Sequence, residues 1–67
     1  MTIEFIDLEG NYIKQWPNWS SRLIPQKSDC VLLHYGDDNE TEVPYAVHNR
    51  IISGIDPDKI VVVVEAM

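Results

Sequence analysis

Ile60-Val61-Val62-Val63-Val64-Glu65 (IVVVVE, residues 60–65) is five β-branched residues in a row, closed by a glutamate. β-Branched side chains lose rotamer freedom in a helix and pack well on a pleated surface, so the run reads as a strand. No polar residue interrupts it. Both of its faces are therefore expected to be covered, by the rest of a barrel or by another subunit.

Upstream, Ser53 to Asp58 is rich in turn residues, and Asp56-Pro57-Asp58-Lys59 suits a single turn with Pro57 in second place. A fourth strand is predicted over Glu42 to Ile52. It points Val43, Tyr45 and Val47 one way and Pro44, Ala46 and His48 the other. Pro44 confines this segment to an edge, a strand start or a bulge. Gly36 to Thr41 is a polar loop. The third strand runs from Cys30 to Tyr35, entered through a turn at Lys27-Ser28-Asp29.

Nearer the N-terminus, Thr2 to Leu8 and Tyr12 to Trp16 form a hairpin around Glu9-Gly10-Asn11. Gly10-Asn11 as the two turn residues sets Leu8 opposite Ile13, Asp7 opposite Lys14 and Phe5 opposite Trp16, and is preferred over a Glu9-Gly10 turn, which would set Phe5 opposite Lys14. Pro17, which has no amide to donate, ends the second strand, and residues 17–29 form a long connection. The expected fold is all-β: a single domain over residues 1–67, a small five-stranded barrel with an N-terminal β-hairpin.

From Pro25 onward the chain resembles the small SH3-like barrel proteins of bacterial and phage genomes, which are mostly uncharacterised. The resemblance lies in LIPQKSDCVLLHY (23–35) and YAVHNRIISGIDPDKIVVVVEA (45–66). In that family a Pro-x-x-Gly-Asp-x-Val strand start precedes a Tyr-x-Val strand and a Val-rich final strand. Asp29, Val31, Tyr45 and Val47 fit this pattern, whereas Ser28 stands where the family has Gly. The resemblance implies an SH3-like fold and carries no activity with it.

Composition narrows the function classes. The chain has 67 residues and one cysteine, so no disulfide can form within it. Cys30 is expected to be a small buried thiol in a reducing compartment. With no secretion signal and no apolar run near the ~20 residues of a membrane helix, a soluble cytoplasmic protein is expected. A formal charge of −6 repels phosphate backbones, which argues against direct nucleic-acid binding and suits a basic partner.

No chemical motif stands out. Cys30 and His34 share a strand face ~13 Å apart, too far to hold one metal ion, and His48 lies on another strand. The loop from Gly36 to Glu42 is rich in oxygen ligands but lacks calcium-loop spacing. No nucleophile elbow or phosphate-cradling Gly loop is present. No enzymatic activity, cofactor or metal is expected.

What remains is QWPNWSSRLIP (15–25), which holds both tryptophans. Trp and Arg are enriched at binding hot spots. Trp16 is expected to pack on Phe5 and plug one end of the barrel. For Trp19 a core lid and a contact surface stay equally open, because Pro17 and Asn18 turn it from the strand and Ser20-Ser21 offer nothing to bury with it. Tyr12, on the Trp16 face in this register, widens the aromatic patch. Arg50 is expected to pair with a nearby carboxylate, or to bind an anion with Arg22.

The function expected is a non-enzymatic interaction module. It binds a protein partner through Trp16, Trp19, Arg22 and Tyr12, with a role as a phage or mobile-element accessory factor. Homo-oligomer formation is expected as well, since Ile51-Ile52 and Val61 to Val64 exceed what so small a core can hide. The alternatives are an oligomer that sequesters a small anionic ligand, and an acidic decoy for a nucleic-acid enzyme.

Overall fold

The computed structural model describes residues 1–34, 41–52, 54–56 and 58–67. It is all-β. Its strands are β1 (Thr2–Ile6), β2 (Tyr12–Trp16), β3 (Cys30–His34), β4 (Glu42–Ile52) and β5 (Lys59–Ala66). They form one sheet in the order β2-β1-β5-β4-β3. It curls as a half-barrel, consistent with a small SH3-like barrel. Among the described residues there is no helix, and so none long and apolar enough to cross a membrane.

The valine run lies at the centre of the sheet. β5 pairs in parallel with β1, Ile3 against Ile60 and Phe5 against Val62, and antiparallel with β4, Val47 against Val64. Strand alternation sends Ile60, Val62 and Val64 to the concave side, where they are buried with Ile3, Phe5, Leu33 and Val47. Val61 and Val63 take the other face and are only half-buried. Within one subunit the run is thus fully covered on one face and partly covered on the other. A central strand has neighbours on both edges, and side chains such as Ile6 and Ile51, in register with Val63 and Val61, shelter the second face in part.

β2 and β3 are consecutive in the chain yet lie at opposite edges of the sheet. The 17–29 connection between them brings Trp19 and Ile24 against the core and buries Pro25. Its last turn is closed by the Asp29 amide donating to the Gln26 carbonyl at 2.9 Å. The third residue of that turn is Ser28, at φ +78°, as in a type II turn, where glycine is the favoured residue. The glycine of the SH3-like pattern is therefore replaced at a position whose backbone calls for it.

The hairpin register differs from the expected one. Phe5 lies opposite Lys14, and Trp16 opposite Ile3, with an irregularity between Phe5 and Ile6. The cause is the loop. The Gly10 amide donates to the Asp7 carbonyl (3.1 Å), the Asp7 amide to the Asn11 carbonyl (2.9 Å), and Gly10 sits at φ +87°. This is a three-residue loop, Leu8-Glu9-Gly10, built on a turn that starts at Asp7. The Asp7 carboxylate accepts the amides of Glu9 (2.9 Å) and Asn11 (2.8 Å), which favours this loop over a two-residue Gly10-Asn11 turn. The Asn11 amide, opposed by partial burial, holds the Asp7 carboxyl below its ordinary value of 3.8.

Candidate functional site

The register decides what each tryptophan does. Trp19 is tied to the start of β1, its amide donating to the Met1 carbonyl at 2.9 Å. Its ring meets Phe5 edge-to-face, 5.8 Å between centroids and 74° between planes. Its indole Nε1 donates to the Leu23 carbonyl at 2.9 Å, across the turn closed by the Leu23 amide on the Ser20 carbonyl. Both needs of a buried indole, apolar cover and a polar partner, are met by its own chain. Trp19 is nevertheless only half-buried.

Trp16, expected on Phe5, lies instead beside Trp19 at 6.5 Å and is 40% exposed. The Lys14 ammonium lies 5.4 Å from the Trp16 ring centroid, within cation–π range. The role expected of Trp16 thus falls to Trp19, for which the sequence left core lid and contact surface equally open. Trp19 buttresses the core, and Trp16 presents an aromatic face.

The 17–29 connection and the start of β3 enclose an open cavity of about 330 Å³, lined in part by Trp19, Arg22, Leu23, Asp29, Cys30 and Val31. Trp19 is the common element: its ring neighbours Trp16, and with Arg22 and the exposed Leu23 it lines the cavity. Tyr12 does not join them. It lies opposite Ile6, whereas Trp16 lies opposite Ile3, and the irregularity between Phe5 and Ile6 parts the two aromatics onto different faces. Arg50 is exposed on β4, in register with Val62. Among the described residues it makes no ion pair, and it lines neither cavity described here.

A second open cavity, about 310 Å³, lies between the β1–β2 loop and the end of β5. Ile13, Tyr45 and Val64 provide apolar lining, and Asp7, Glu9 and Glu65 provide carboxylates. Glu65 is 3.6 Å from His48.

Cys30 is exposed, not buried, because it falls on the convex face of an edge strand, with its Sγ 3.6 Å from Met67 Sδ. Among the described residues no group of three His, Cys, Asp or Glu side chains gathers at metal-binding distance. The acidic loop considered for calcium lies mostly in 35–40, outside the described residues, as does Pro57 of the turn before β5. Sequence reasoning missed Lys14 and Leu23 at this surface. The i, i+2 spacing of Lys14 and Trp16 on one strand was the available signal.

Comparison of the chain with protein-family models, curated proteins and solved structures finds no match.

Proposed function

We propose that this chain is a non-enzymatic interaction module that binds a protein partner through the surface formed by Trp16, Trp19, Arg22 and Leu23. One observation carries the reading: Trp16 keeps a large aromatic face exposed while its neighbour Trp19 is anchored on Phe5. An exposed aromatic, backed by a second tryptophan that shares a cavity wall with an arginine, has the composition of a binding hot spot. Leu23, 68% exposed, extends the apolar part. Tyr12 leaves this patch and would serve only a partner reaching the opposite face. An accessory role in a phage or mobile element is the setting suggested by the SH3-like resemblance, and the cytoplasm is the compartment.

The acid-lined cavity favours one refinement, a partner with a basic segment, which is the chemistry an acidic decoy would need. A ligand-sequestering oligomer is less well supported, because Arg22 and Arg50 share neither described cavity within one subunit.

The test is to identify the partner by affinity capture, reconstitute the complex from purified proteins, and measure Kd for wild type, Trp16→Ala and Arg22→Ala. Truncation of a hot-spot residue is expected to raise Kd about tenfold or more, with the melting temperature nearly unchanged for Arg22→Ala. Equal Kd for all three proteins would reject this surface.

A further inference from the structure

We propose that the outer edge of β3 is a self-pairing edge: two copies join antiparallel, β3 to β3, about a two-fold axis at Leu32. The inference goes beyond the partner surface above and does not depend on it.

Main-chain geometry supplies the first argument. The Val47 amide donates to the Asp29 carbonyl at 2.8 Å, so Asp29 and Val47 bond across the β3–β4 boundary. Residues alternate along a strand, so Val31 and Leu33 also turn their N–H and C=O groups toward β4. Cys30, Leu32 and His34 therefore turn theirs outward. The partner of Leu32 agrees: Pro44 has no N–H, and its carbonyl is taken by the Met67 amide at 3.0 Å on the β5 side. Among the described residues, nothing bonds to the outward groups of Cys30, Leu32 and His34.

The second argument is the contrast between the two edges. β2 carries Lys14, has an irregular register with β1 and is followed by Pro17. Charge, bulge and proline are the devices by which sheets discourage edge pairing. β3 has none of them. Its five residues, CVLLH, contain no Asp, Glu, Lys, Arg, Pro or Gly, and its register with β4 is unbroken. Leu32 is 62% exposed, next to an exposed Pro44 and, beyond Cys30, an exposed Met67.

The occupant that fits is a second copy. Antiparallel pairing about Leu32 sets Leu32 opposite Leu32 and Cys30 opposite His34, so two acidic molecules meet along an uncharged seam. A second copy also presents the same outward N–H and C=O groups in the antiparallel register that complements them, so the contact closes on itself about a two-fold axis. A chain this small, with no internal disulfide, also belongs to the size class that commonly gains stability by oligomerising.

The experiment is sedimentation equilibrium or native mass spectrometry of the full chain over a dilution series. Wild type is expected at twice the 7.7 kDa chain mass. Leu32→Lys places like charges opposite each other, and Leu32→Pro removes an outward N–H that β4 does not use. Each is expected to weaken the dimer at least about tenfold while the far-UV spectrum is kept. Leu32→Cys, in a Cys30→Ser background, is expected to cross-link on mild oxidation, since directly bonded antiparallel partners sit about 5.5 Å apart at Cα. A wild type that stays monomeric throughout, or a dimer indifferent to both Lys and Pro with no Leu32→Cys cross-link, overturns the proposal.

Discussion

The Trp19 ring stands edge-on to the Phe5 ring at 5.8 Å, and through that contact the connection after β2 is fastened to the first strand of the sheet. Phe5 is fully buried and Trp19 half-buried, so the pair joins the core to the candidate binding surface. Trp19→Ala should remove an aromatic contact, a core cover and the Nε1 bond to Leu23 together. The expected loss is about 2–4 kcal/mol, against about 1 kcal/mol for Trp16→Ala. Urea denaturation of both variants measures the difference. Equal losses would mean that Trp19 is not the buttress.

Ser28 holds a left-handed backbone at φ +78°, a conformation that costs any residue with a Cβ. Ser28→Gly is expected to stabilise the protein by about 0.5–1 kcal/mol, the relief of strain exceeding the entropy that glycine adds to the unfolded chain. Ser28→Ala keeps the Cβ and should show no such gain. Thermal melts of the two variants separate backbone strain from loss of the hydroxyl.

Asp7 organises the β1–β2 loop as a carboxylate, its pKa held below the ordinary 3.8 chiefly by the Asn11 amide. A depressed native pKa means that the unfolded chain takes up the proton first. The stabilisation is therefore fully present above 3.8 and is lost as pH falls below it through the lower native value. Asp7→Asn should be less stable than wild type at neutral pH, and the gap should close in acid. Paired urea melts from pH 7 to pH 2 would show this; a gap that widens on acidification contradicts the assignment.

Val62 and Val61 are neighbours in sequence on opposite faces of β5. Val62 is fully buried on the concave side and Val61 half-buried on the convex side. Val62→Ala should cost about 2–3 kcal/mol and Val61→Ala about 1 kcal/mol. A reversed order in chemical denaturation would invert the facing of the central strand.

Much of this architecture is legible in the residues. Pro17 stops β2 at Trp16, and the alternation from Val43 to Val47 locates β4, because breakers and period-two patterning act within a few residues of chain. The hairpin register was also written locally. Asp7-Leu8-Glu9-Gly10 has the first and last residues of a type I turn, a stronger determinant than the Gly10-Asn11 pair. The aromatic patch was legible as residue types but not as roles, since the register that places Trp16 opposite Ile3 leaves Phe5 to Trp19.

The amino-acid sequence by itself determined an all-β chain, the approximate bounds of its strands and the segment that carries the exposed aromatics. Those follow from side-chain branching, alternation and turn chemistry, which operate over a few residues. Only the tertiary structure decided that β1 and β5 run parallel at the centre, that β2 and β3 become opposite edges, and that Trp19 faces inward while Trp16 and Cys30 face out. Such pairings join residues far apart in the chain. They are selected by which apolar faces can be buried together, a property of the whole packed sheet that no single stretch contains.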